Sequence, residues 1–301
     1  MSDETVVGQT VIAAVRTPLV WGLVVTGAVF ARGYLTLSRV TALHGHRRTR
    51  LRRRMTMTVV AGLCLLAVLM GPVDTLADHS FTVHMAQHLV LLMVVPPLLV
   101  LGAPWTPLMR GLPPRGRLWV AHGDGMSGLR RAFSWLNRPW PAWIALNLNL
   151  WLWHVPAMYG LTLTSPPVHY AEHLLFVGTG VLWWLQVIDS TPLRAKFDAV
   201  HMIGPQVACM VSGWILAMWL SYAAAPIYRG YASQAHLAWG MSAINDQRVA
   251  ASLMWVFGGI PYGLAVTFRA YYWLARPERD WRMSGASPRR HWTAIGSSTS
   301  T

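Results

Sequence analysis

Long apolar stretches separated by short polar ones dominate the chain, and their lengths predict helices that cross a membrane. A spanning helix needs roughly 20 mostly apolar residues. Seven stretches qualify, at 18–38, 56–73, 83–101, 140–159, 168–187, 201–222 and 250–274. The pattern therefore predicts an all-α fold, a polytopic membrane protein built as a bundle of seven transmembrane helices. The third stretch holds Pro96-Pro97, which predicts a kink or early unwinding, tolerated where neighbouring groups re-satisfy the freed carbonyls. Residues 1–17 lack the basic and apolar regions of a signal peptide, so the first span is expected to be retained. The expected organisation is a 1–17 outer N-terminal segment, an 18–274 transmembrane domain and a 275–301 cytoplasmic basic tail that is flexible. Segment 102–139, with Gly and Pro throughout, has room for a short interfacial helix.

Composition supports the membrane reading. Of 301 residues, 54% are hydrophobic and 12% charged, where a soluble domain carries about 25% charged residues. Cys64 and Cys209 both lie in apolar runs, which excludes a disulfide scaffold and a CxxC motif. The net charge of +14 would suggest nucleic acid in a soluble protein. Its placement says otherwise. Twenty basic residues fall in four segments, 39–54, 102–139, 188–199 and 275–301, and only Arg16, Arg229 and Arg248 fall in the segments alternating with them. The positive-inside rule then sets the N-terminus outside and the C-terminus in the cytoplasm. The excess charge becomes a record of topology and of contact with anionic membrane lipids, with no nucleic acid implied.

That orientation assigns a depth to the polar residues. His84 and His88 begin the third span, His154 ends the fourth, and His169 and His173 begin the fifth. All five fall near the outer ends of three consecutive helices. Each i, i+4 pair places two imidazoles on one helix face, a chelating geometry. One histidine at a helix end is ordinarily an interfacial or hydrogen-bonded residue, and His79 and His236 in outer loops are read so. Five at one depth point to a shared metal or haem site. Imidazole suits copper, zinc, iron and nickel, and thioether favours Cu(I). Met85 and Met158 adjoin the histidines, yet Met is ordinary core filler in a chain with 15 of them. Glu172 is either an acceptor behind a ligating imidazole that fixes the orientation of its ring or a solvated end residue. Asp246 and Gln247, just before the last span, either cap that helix or face the site. Asn147 and Asn149 are expected to bond between helices, and Arg32 and Arg269 to snorkel to the surface. Chemistry leaves copper and haem both open.

The segments HMAQHLVLLMVVPPLLVLGAPW, WLWHVPAMY, HYAEHLLFVGTGVLWW and NDQRVAASLMWVFGG recur in the order of a known family. Over roughly residues 80–265 the chain resembles the CtaG-like cytochrome c oxidase assembly factors, the Gram-positive type needed to build caa-type oxidases. The resemblance implies a multi-pass plasma-membrane protein that supports oxidase maturation through copper. It implies His84, His88, His154, His169 and His173 as metal residues, with Asp246-Gln247 a further family motif. It also implies as partners the cytochrome c oxidase subunits, above all the copper-bearing subunit II, with room for a copper donor protein. Many arginines and a single lysine fit a GC-rich, actinobacterial genome.

Other classes are weaker. Haem handling shares the paired histidines. A copper permease needs polar residues to continue through the bilayer, but the sequence after His88 is LVLLMVVPPLLVLG. A retinal protein needs a lysine in the last span, and the one lysine is Lys196. No nucleophile with its base, phosphate loop or paired-carboxylate site appears at one depth, so an enzyme is not expected.

Overall fold

The structure, a computed structural model, describes residues 18–41, 45–70, 72–190, 200–232 and 240–275. The expected outer segment 1–17, Lys196, His236 and the tail from 276 lie outside the described residues. Helices make up most of the described residues, among which no β-strand occurs. In chain order they are α1 (Pro18–Thr41), α2 (Gly45–Leu69), α3 (Pro72–Ala77), α4 (Phe81–Gly102), α5 (Trp105–Gly111), α6 (Pro114–His122), α7 (Ser127–Leu136), α8 (Pro139–His154), α9 (Pro156–Thr164), α10 (Pro166–Val187), α11 (Ile203–Ser221), α12 (Arg229–Ala232) and α13 (Ala243–Leu274). Among the described residues, three helices are long and apolar enough to cross a membrane: Phe81–Gly102, Ile203–Ser221 and Ala243–Tyr271.

The other predicted stretches are helical with shifted edges. α2 begins at Gly45, so the arginine-rich segment belongs to the same helix as the apolar run after it. The predicted span 140–159 is cut at Val155, held extended by the following Pro156, so α8 stops at His154. Segment 102–139 holds three short helices, α5 to α7. The outside of the bundle is apolar: Leu174, Leu264 and Phe268 are 72%, 66% and 63% exposed. Large side chains exposed in such numbers suit lipid better than water.

The kink expected at Pro96-Pro97 is a widening of α4. Residues Val90–Val94 form a π turn between α-helical halves. Pro96 has no N–H to give the carbonyl four residues back, that of Leu92. Trp184 on α10 supplies the donor instead, Nε1 to Leu92 O at 3.2 Å. α10 comes close here because Gly180 faces Pro96, and a Cβ there would stand 2.7 Å from Pro96 Cγ. Close packing through small residues is how helices associate where apolar solvent gives no driving force. Trp184→Phe removes that donor and is expected to cost about 1 kcal/mol, read as a lower thermal midpoint in detergent.

Polar side chains inside the bundle are tied between helices. Asn149 donates to Thr179 Oγ1 at 3.3 Å and accepts from Trp153 Nε1 at 2.9 Å. Asn147 reaches Cys209 Sγ on α11 at 3.6 Å. Arg32 is exposed, but Arg269 departs from expectation. It is buried, and it donates to Gln186 O at 3.0 Å and to Val187 O. A cation there satisfies carbonyls at the C-terminus of α10 and complements its dipole, so this arginine caps a neighbour and does not snorkel.

Candidate metal centre

Helix ends position the site. α4 starts at Phe81 and carries His84 and His88 in its first turns. α8 ends on His154, stopped by Pro156. α10 opens with Pro166-Pro167, prolines suited to a first turn, and brings His169, Glu172 and His173 onto adjoining positions. The far end of α4 lies against α2, where a Cβ on Gly102 would stand 3.0 Å from Arg54 O. The histidines therefore gather at the end of α4 away from the arginine-rich end of α2.

The rings meet. His84 and His88 centroids are 4.4 Å apart, His169 and His173 4.2 Å, His84 and His169 5.2 Å, and His88 and His173 5.5 Å. Ligand atoms of His84, His169, Glu172 and His173 all lie within 4.8 Å of one another. Glu172 is fully buried between the two α4 histidines, its carboxylate oxygens 3.7 Å from His84 Nε2 and 3.6 Å from His88 Nε2. It is not a solvated end residue, and its carboxylate is grouped with the imidazoles as a candidate ligand.

Among the described residues, the buried polar atoms without a hydrogen-bond partner concentrate here: Nε2 of His84, His88, His154, His169 and His173, and both oxygens of Glu172. Unpaired buried polar atoms are costly. One metal ion would satisfy several of them together, and the donor set of imidazoles with a carboxylate suits copper or zinc.

Two of the other ring nitrogens, Nδ1 of His154 and of His84, have partners, while Nδ1 of His88, like its Nε2, has none among the described residues. His154 Nδ1 donates to Leu150 O at 2.7 Å, which leaves its Nε2 lone pair inward. Tyr231 donates to Ala77 O at 2.8 Å, and its oxygen lies 3.0 Å from Tyr159 OH and 3.4 Å from His84 Nδ1. Donation by His84 Nδ1–H to Tyr231 leaves Nε2 of His84 as a ligand. Burial pushes the Tyr231 phenol well above its ordinary pKa, so its proton stays available for Ala77 O. Nothing in the sequence marks Tyr231 and Tyr159, because a tyrosine in a four-residue helix and one beyond a broken span carry no periodic signal.

The remaining expected residues fall elsewhere. Asp246 is turned to the start of α4, where its carboxylate accepts from Ser80 Oγ at 3.0 Å, Phe81 N at 2.7 Å and Thr82 N at 3.2 Å. Thr82 Oγ1 also donates to Asp246 O at 2.9 Å. Asp246 thus caps α4, the helix of His84 and His88, from the first turn of α13. Gln247 accepts from Ile227 N at 2.8 Å and donates to Leu220 O at 2.8 Å, fastening the loop after α11. Met85 is core, packed with Phe81, Tyr159 and Leu216, and Met158 packs on the main core. His79 is exposed and bonds Thr75 O.

A groove of about 320 Å³, lined by Leu23, Leu65, Asp74, Tyr170, His173 and Val177 among others, runs between α1, α2 and α10 and has His173 in its wall. Burial raises the Asp74 carboxyl above its ordinary pKa, and the Gln87 amide donor at 3.1 Å opposes that rise.

The fold and site define a helical protein with membrane-length apolar helices and a buried histidine–carboxylate cluster at one end. The chain belongs to the cytochrome c oxidase caa3 assembly factor family, which matches it over residues 10–276. It is also similar to uncharacterized proteins of Mycobacterium bovis and Mycobacterium tuberculosis, each 27% identical over 218 residues, 66% of this chain and 30% of theirs. An uncharacterized protein of Mycobacterium leprae is 26% identical over 226 residues, 69% of this chain and 32% of its own. The chain spans about 30% of the length of the curated relatives it matches. No solved structure matches the chain.

Proposed function

We propose that this chain is an oxidase assembly factor that holds copper through His84, His88, His154, His169, His173 and Glu172 and passes it to the copper-bearing subunit of a cytochrome c oxidase. Copper is cargo here, so the site must bind it and give it up. Neutral imidazoles supply lone pairs, ligand exchange with a docked subunit replaces them one by one, and protonation competes with the metal as pH falls. The observation that carries this reading is the set of buried, mutually facing nitrogen and oxygen atoms with no hydrogen-bond partner. Family membership supplies the oxidase.

In this reading the chain crosses a bacterial plasma membrane seven times. Its N-terminus and the cluster are outside, and its arginine-rich segments and C-terminal tail are in the cytoplasm. The charge asymmetry supports that orientation. A metal ion fits better than haem. A macrocycle lying between two axial imidazoles needs an open plane, and the other ligand atoms crowd that space within 4.8 Å. A conduit fits less well than an end-on site, because Leu91, Leu92, Trp183 and Trp184 pack an apolar core beyond His88.

Deleting the gene is expected to abolish assembled oxidase, with excess copper in the medium restoring it. Unchanged oxidase after deletion overturns the assembly role. Loss that copper does not restore overturns delivery and leaves scaffolding.

A further inference from the structure

Away from the cluster, a cavity of about 410 Å³ lies between α1, α2 and the α4–α5 junction. One wall is cationic: Arg47, Arg50 and Arg54, with His46 beside them, line it from the first three turns of α2. Their i, i+3, i+7 spacing sets the three guanidinium groups on one helix face. The facing wall is aromatic and aliphatic, from Phe30, Tyr34 and Leu37 of α1. Among the described residues no carboxylate lines the cavity.

Four features mark this as a formed site rather than a scatter of topology-setting charges. Arg48, Arg52 and Arg53 share the same helix and the same role in orientation, but they lie off the lining face. The floor is held by close packing of Gly102 on α2, since a Cβ there would collide with Thr58 Oγ1 and stand 3.0 Å from Arg54 O. Ala103, also in the wall, has φ of 47°, the one non-glycine residue in the left-handed region among those described, and strain of that kind persists only where surrounding structure enforces it. Burial, and then the charges of Arg50 and Arg53, push the Arg54 guanidinium below its ordinary pKa.

We propose that this cavity binds one anionic glycerophospholipid, its phosphate on Arg47, Arg50 and Arg54 and an acyl chain along Phe30, Tyr34 and Leu37. The class of ligand follows from the two walls. A phosphate group needs the guanidinium face, and only an amphiphile uses the apolar wall as well. Arg54 directly precedes the apolar part of α2, so the cavity opens at headgroup depth, where basic pockets between helices take acidic lipids. The site depends on the chain lying in a membrane and is independent of the metal cluster.

The test uses the full-length protein in neutral detergent, titrated with dioleoylphosphatidylglycerol, dioleoylphosphatidylcholine or inorganic phosphate. Binding is read by native mass spectrometry and by the shift in thermal midpoint. The acidic lipid is expected to bind and to raise the midpoint. The triple variant R47Q/R50Q/R54Q is expected to bind it about a hundredfold more weakly, at about 1 kcal/mol for each arginine. R48Q/R52Q/R53Q, which removes the same charge off the lining face, is expected to keep binding within about threefold, because exposed charges outside the site are screened by solvent and salt. Thr106→Trp, which fills the cavity without changing charge, is expected to weaken binding as the first triple does. Equal loss in both triples shows diffuse electrostatic attraction and overturns the site. So does equal binding of phosphatidylcholine, or a phosphate response that matches the lipid, which makes it a free-anion site.

Discussion

Replacing Glu172 with leucine is expected to stabilise the metal-free protein and, in the same variant, to abolish stabilisation by copper. The carboxylate is fully buried, with the nearest histidine nitrogens at 3.6 and 3.7 Å and no hydrogen bond to either oxygen. A buried acceptor left without a hydrogen bond costs about 1–3 kcal/mol, and more when it is charged, so an apolar side chain of similar size recovers that cost. With copper present the order reverses. A ligand at 100 times its dissociation constant stabilises the native state by about 2.7 kcal/mol, and a variant without the carboxylate ligand forgoes that gain. The two readings part on sign: a Glu172 that merely locks the helices together predicts a loss of about 3–5 kcal/mol in the metal-free protein. Thermal midpoints of wild type and Glu172→Leu, with and without copper, decide between them.

Asp246→Ala is expected to fall on the other side, destabilising the metal-free protein by about 3 kcal/mol. Its side chain accepts three hydrogen bonds from Ser80, Phe81 and Thr82, and it is fully buried. Bonds to a charged acceptor are worth about 1.5–3 kcal/mol each and are not additive, and loss of a helix cap alone costs about 1 kcal/mol. Because the cap holds the start of α4, copper affinity should fall with stability as His84 and His88 lose their fixed position. Asp246→Asn keeps an acceptor and should lose roughly half as much stability. An unchanged midpoint in Asp246→Ala refutes the capping role.

These two residues also show what the sequence makes legible. Glu172 stands three residues after His169 and one before His173, a spacing that already puts it beside His169 on the helix surface. Reading it with the histidines, and not as their neighbour, needed only that periodicity. Asp246 is different: it is an acid in the first turn of its own helix, and nothing local reveals that it caps another helix 166 residues away in sequence from Ser80. Arg269 repeats the lesson, since snorkelling and capping a neighbour's C-terminus look alike until α10 is placed beside it. The helices themselves follow from apolar length and proline position, which are local. What escapes is tertiary pairing: the Trp184 bond to Leu92 O that relieves Pro96, and Tyr231 behind His84. The convergence of five histidines was legible because they share helix ends at one side of the bundle.

The claim that this cluster holds copper is tested most directly by copper analysis of the purified protein after loading and dialysis, wild type against His84→Ala/His173→Ala. Wild type is predicted to retain stoichiometric copper that is lost as the buffer is acidified, since imidazolium cannot ligate. The double variant, without two of the four ligand groups that lie within 4.8 Å, is predicted to retain almost none. Equal copper in the two proteins contradicts the account.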